Sequence, residues 1–243
     1  MIEPEDRVEL APGVVVDEDG VVDLVRRATV RANATALLLL AHANGCTIAQ
    51  LGELLERAGA DDGVRDARTF CAQLNRQLLV NVRMRRGEPL RRRLAAARFG
   101  VRLRVPRRRV DGRSTLKVMR ALAPVGAALT LVTLPLAVLA GAWTLALAVG
   151  AGVVLHELAH AVALHGIPRA LVLDGLRPSV LHPRLGSART TVAAVAGPLV
   201  PSLTALGVIV LARSAALSCV PLAAHALGLT VLAPDGRNAC GLS

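Results

Sequence analysis

Apolar positions follow two patterns along the chain. Up to about residue 82 they come in short pieces broken by polar residues and turns; from Ala121 onward they run together. In the first part Arg7–Leu10, Val14–Asp17 and Val21–Val30 read as β-rich segments, with turns at Pro12-Gly13 and Asp19-Gly20. Three helical stretches follow. Ala34–Ala43 is largely apolar. Thr47 is placed to cap Ile48–Ala58, where Leu51, Leu54 and Leu55 share a face. Asp66–Val80 carries Phe70, Leu74, Leu78 and Leu79 at helical spacing. Three strands and three helices predict a small winged-helix-like α+β domain over residues 1–82.

The second pattern is a membrane pattern. Ala121 to Leu155 contains 35 residues without a charge. As one helix it would be about 52 Å long, against a hydrocarbon core of about 30 Å, so it must fold back, and Gly141 is the natural break. Crossings are predicted at 121–140 and 143–165. A further apolar run, Thr190–Ala212, is closed by Arg213, and Ala215–Pro234 follows. The predicted fold class is mainly α: a four-helix transmembrane core (spans near 121–140, 143–165, 190–212 and 215–235) behind the small N-terminal domain. The first 20 residues are acidic and polar, so no cleavable signal peptide is expected.

Charge sharpens this division. The 243 residues are 53% hydrophobic yet carry a net charge of +11. Residues 1–82 sum to −5, residues 83–120 to +13 and residues 121–243 to +3, which excludes a soluble single domain. The basic collar Arg83–Arg120 abuts the first crossing. By the positive-inside rule it puts the head in the cytoplasm, in a multi-pass protein of the cell membrane. Arg169, Arg177, Arg184 and Arg189, in the loop after the second crossing, fit the same side, and four crossings return both termini there. Anionic lipid headgroups account for the collar. Nucleic acid is not expected as a partner, because the collar lacks interleaved aromatics for base stacking. Cys46, Cys71, Cys219 and Cys240 form no C-x-x-C pair and read as unpaired thiols.

The candidate chemistry is His156-Glu157-Leu158-Ala159-His160, inside the second crossing. On a helix the two histidines lie about 40° apart on one face, where both imidazoles can grip one metal ion. Glu157 stands beside them, where a carboxylate can take a proton from an activated water. A charged residue near mid-membrane costs roughly 2.5–3.5 kcal/mol, so this cluster needs a compensating partner, and zinc is the economical one. Polar residues hydrogen-bonding between helices are the plainer alternative. A catalytic zinc wants a third protein ligand. Asp235, in Pro234-Asp235-Gly236, is the first choice, since an even number of crossings brings it to the same membrane face; His225 and Asp174 are the alternatives. His165 is about 140° around the helix from His160 and points elsewhere.

These features resemble the site-2 protease family of intramembrane zinc metalloproteases. The residues that carry the likeness are His156, Glu157 and His160, then Ala196-Gly197-Pro198, then Asp235-Gly236. The resemblance implies that His156, His160 and Asp235 hold zinc and that Glu157 is the catalytic base. It covers about 121–243. The chain departs from the family at Pro201, where an Asn is common, and ahead of Asp235, where only Pro234 remains; both departures bear on substrate binding. Within Gly166–Arg189, Ala170–Leu173 and Ser179–Leu181 are strand candidates around Asp174-Gly175. They could offer an edge to an extended substrate, or they could be a plain connector.

The head, with Pro12-Gly13-Val14, Asn33, Gly45-Cys46-Thr47 and the Phe70/Leu74/Leu78-Leu79 ladder, looks like the peptide-binding domain of the pyrroloquinoline-quinone biosynthesis D type. That domain is the recognition element for ribosomally made, modified peptides. The likeness implies that a leader peptide adds as a strand between Val21–Val30 and Asp66–Val80, meeting Val21, Leu24, Arg26, Arg27, Phe70 and Leu74. A DNA-binding winged helix competes, but a net charge of −5 opposes phosphate binding. The expectation is a membrane zinc endopeptidase that cuts the leader from such a precursor. The alternatives are cleavage of a membrane-spanning regulator, and a non-catalytic anchor that presents a precursor.

Overall fold

The computed structural model describes residues 2–18, 20–84, 88, 92, 106–211 and 219–229. The chain divides into two compact units, Met1–Val110 with Val172–Arg177, and Asp111–Leu171 with Pro178–Ser243.

In the first unit β1 (Arg7–Leu10) pairs antiparallel with β5 (Val80–Arg83), with Val8 opposite Val82. A second sheet is an antiparallel meander of β2 (Val14–Asp17), β3 (Gly20–Asp23) and β4 (Ala28–Arg31). The expected single strand Val21–Val30 is therefore two. Oδ1 of Asp23 accepts the backbone N–H groups of Val25 (3.0 Å) and Arg26 (3.1 Å), and Arg27 takes a φ of +54°, so the chain reverses over Leu24–Arg27. β4 is exposed at all four residues and forms the sheet edge.

Three capped helices follow. Asn33 caps α1 (Ala34–His42), and Thr47 with Gln50 forms a reciprocal capping box on α2 (Ile48–Arg57). Asp62 accepts from Arg65 N and starts α3 (Gly63–Arg76) three residues before the expected Asp66. Leu78, at a φ of +62°, leaves that helix before β5. Val8, Leu40, Ile48, Leu51, Leu79 and Val80 form the core, joined by the buried thiol of Cys71. Burial in this apolar setting pushes the Cys71 pKa up to about 12.

An ion pair is buried in the same unit. Arg109 and Asp23 side chains are both fully covered and meet through two bonds of 2.8 Å, Nη1 to Oδ2 and Nη2 to Oδ1. Arg26 adds Nε to Oδ2 at 2.6 Å. Burial alone would raise the Asp23 pKa, but the Arg109 fork and the Arg26 bonds outweigh it and hold the carboxyl at about 2. Arg109 sits in β6 (Arg108–Asp111), within the stretch that charge alone assigned to lipid headgroups.

The second unit is built on α4 (Thr115–Leu139), α5 (Thr144–Ala163) and α6 (Ser187–Leu211). All three are long and apolar enough to cross a membrane, which indicates membrane association. Leu131, Leu136, Leu139, Leu203 and Leu206 stand exposed on them, the outward apolar face of helices that lipid would solvate. α4 ends one residue before Ala140 and Gly141, the expected break. α4 and α5 approach closely where a Cβ on Gly150 would strike the Gly126 carbonyl and the Thr130 hydroxyl. Arg169 is buried and donates from Nη1 to the Leu164 carbonyl at 2.7 Å, closing the end of α5. The strands β6, β7 (Ala170–Asp174) and β8 (Arg177–Leu181) form a sheet in that order, with Gly175 in the turn. Of the expected fourth crossing, the described part is the single turn α7 (Val220–Ala223) running into a 3-10 helix, Ala224–Leu229; the rest lies outside the described residues.

Candidate functional site

α5 carries His156, Glu157 and His160 in a stretch otherwise made of small and aliphatic residues. The two imidazoles stand edge to face, with centroids 4.8 Å apart and planes at 77°. Their Nε2 atoms are 3.2 Å apart. Nitrogens bound at about 2.0–2.1 Å to one tetrahedral zinc would be about 3.3 Å apart, so this pair has the spacing of two ligands of one ion.

His160 is held from behind. Its Nδ1 lies 2.6 Å from the carbonyl oxygen of Ala193 on α6. A carbonyl only accepts, so Nδ1 carries the proton and Nε2 keeps its lone pair. One turn along α6, Gly197 leaves room for the ring: a Cβ there would overlap the His160 imidazole, closest at Nε2. The Ala196-Gly197-Pro198 element thus has a packing reason. Glu157 is buried among these helices.

His225, in the 3-10 turn, reaches the other side of His156. The two Nδ1 atoms are 3.1 Å apart and the rings lie at 38° with centroids 5.0 Å apart. The two nitrogens of an imidazole point in divergent directions, so His225 does not enter the cradle formed by the two Nε2 atoms. Among the described residues, no group of three or more His, Cys, Asp or Glu side chains is placed to hold a metal ion. Asp235, the expected third ligand, lies outside the described residues. Asp174 is taken by Arg107, whose Nε donates to Oδ2 at 3.0 Å, His165 is exposed past the end of α5, and His182 faces the Pro183 carbonyl.

In the first unit the six expected peptide-contact residues fall in three places. Val21 and Leu74 are buried in the core and Phe70 packs at its margin. Leu24 is exposed in the β3–β4 turn together with Arg27. Arg26 is engaged internally, with Asp23 and with the Gln77 carbonyl at 2.7 Å. β4, the second half of the expected strand, is an outer strand of its sheet, and its Val30, paired with Val21, is 38% exposed. Cys46, Cys71 and Cys219 are free thiols; Cys240 lies outside the described residues.

No family model, curated protein or solved structure matches the chain.

Proposed function

We propose that the chain is a membrane-embedded zinc endopeptidase, of site-2 protease type, that removes the leader from a ribosomally made, modified precursor peptide held by the N-terminal domain. The observation that carries this reading is the pair of Nε2 atoms 3.2 Å apart on an apolar helix, one ring locked to a backbone carbonyl and cradled by a glycine. His156 and His160 would hold the ion, with Asp235 as third ligand. Zinc at such a position supplies Lewis acidity, polarising a carbonyl and lowering the pKa of water. Glu157, the next residue on the helix, takes the proton from the attacking water and returns it to the departing amine.

The substrate must be extended at the bond that breaks, because a helix ties up its own carbonyls. β8, at the end of its sheet, offers such a chain a partner. In the head, the exposed edge β4 with its half-open Val30 supports strand addition by a leader, in the second half of the segment the sequence suggested. Holding the leader raises the local concentration of the scissile segment to the order of millimolar for a short linker. The basic collar supports a cytoplasmic side for the head and, with four crossings, for both termini.

The test is incubation of the full-length protein with candidate precursors and comparison of their masses. The protein cuts off the leader, and Glu157→Gln abolishes cleavage while zinc stays bound; unchanged cleavage by that variant removes the mechanism. A non-catalytic membrane anchor is the second reading.

A further inference from the structure

His225 has no part in the chemistry above, yet it is the side chain that backs the His156 ring. The contact joins residues 69 positions apart, Nδ1 to Nδ1 at 3.1 Å. It is also built into the packing. Gly152 lies one turn before His156 on α5, and a Cβ there would stand 2.9 Å from Nε2 of His225 and 3.3 Å from Leu222, itself buried. A larger residue at 152 would force the His225 imidazole to shift from this position.

The protons of the three rings can be placed one after another. A neutral imidazole has one donor and one acceptor nitrogen. His160 gives its proton to the Ala193 carbonyl from Nδ1, which leaves its Nε2 lone pair facing Nε2 of His156. For one cation to take both Nε2 lone pairs, His156 must carry its proton on Nδ1. His225 Nδ1, 3.1 Å away, is placed to receive that proton in a hydrogen bond; it must then be unprotonated, with its own proton on Nε2. The same three rings also satisfy one another without a cation when the polarity is reversed: His225 donates to His156 Nδ1, and His156 donates from Nε2 to His160.

Resting on the zinc reading above, we propose that His225 is a positioning residue for the metal site: it accepts the Nδ1–H of His156, sets that ring's tautomer and aims its Nε2 at the ion. His225 is not a ligand itself, since it meets the nitrogen that faces away from the cradle. Partners of this kind typically change metal affinity by about 10- to 100-fold when removed.

The experiment uses full-length protein in detergent, with zinc affinity read by chelator competition and the ligand field read from the absorption of bound Co²⁺. His225→Phe keeps a ring but loses the acceptor, and it weakens zinc binding by about 10- to 100-fold. His225→Asn places an amide oxygen near the former Nδ1 position; it stays within about threefold of the parent and leaves the Co²⁺ spectrum unchanged. Gly152→Ala, which keeps the His225 side chain but crowds its Nε2 edge, weakens binding in the same direction as Phe and serves if the Phe variant does not fold. Parental affinity in both the Phe and the Gly152 variants overturns the assignment while leaving the zinc reading intact. So does a changed Co²⁺ spectrum in the Asn variant, which would make His225 a ligand. A parent protein that binds no zinc removes both readings at once.

Discussion

His160 donates from Nδ1 to the Ala193 carbonyl 2.6 Å away, and its ring occupies the space that Gly197 leaves one turn further along the same helix. The two contacts fix the tautomer and the orientation of that imidazole. They also tie α5 to α6 at the point where the Nε2 atoms converge. Preorganisation of this sort spares a metal the cost of ordering its ligands.

Gly197→Ala tests that relation by volume alone. The added methyl has no room unless the His160 ring moves, because the ideal Cβ position falls on the imidazole. Zinc affinity, measured by chelator competition, falls by about tenfold or more, and any cleavage falls with it. Ser202→Ala is the control on the same helix: it deletes a hydroxyl that bonds the Pro198 carbonyl at 2.8 Å, and zinc affinity does not change.

The buried Asp23–Arg109 pair makes a separate prediction for the first unit. Arg109→Met leaves the Asp23 carboxylate buried with only Arg26 beside it, and loss of one partner of such a pair costs about 3–5 kcal/mol. Adding Asp23→Asn to that variant removes the charge and recovers part of the loss. Amide hydrogen exchange of β3 and α3 in the full-length protein reads the difference.

Acid should find the same pair. The Asp23 carboxyl has a pKa of about 2 in the folded chain against an ordinary 3.8, so between those values the unfolded chain binds more protons than the folded one. Its contribution, about 2 kcal/mol, is complete above pH 3.8 and is lost as the pH falls toward 2. Exchange protection of the first unit owes no change to this group between pH 7 and 5. Below pH 4 it falls more steeply in the parent than in Asp23→Asn, and equal slopes would contradict the pairing.

Much of this architecture was legible residue by residue. Arg7–Leu10 and Val14–Asp17 have the expected bounds because Pro12-Gly13 punctuates an alternating run, and Thr47 announces α2 through its capping box with Gln50. The β7–β8 hairpin was visible at Asp174-Gly175, and the α4–α5 break at Gly141. Val21–Val30 reads as one strand because the turn over Leu24–Arg27 has no Gly, Pro or Asn; the Asp23 carboxylate makes it, with Arg27 at a positive φ that Arg seldom adopts. α3 begins at Gly63, three residues ahead of the expected Asp66, because the Asp62 side chain caps it there.

What escaped the sequence is tertiary. Arg109 is one of many arginines in a basic stretch, and nothing local says that its partner lies 86 residues earlier in a strand. His225 was an alternative ligand; its actual neighbour, the back of His156, depends on the space left by Gly152. The pair His156 and His160 was legible because helical periodicity alone brings residues four apart onto one face.

The most direct measurement is the zinc content of the purified full-length protein, determined by elemental analysis alongside a His156→Ala/His160→Ala double variant of the same purity. The parent should carry about one zinc per chain, the stoichiometry of a single site, and the double variant none. A metal-free parent, or zinc retained after both imidazoles are gone, would contradict the zinc reading.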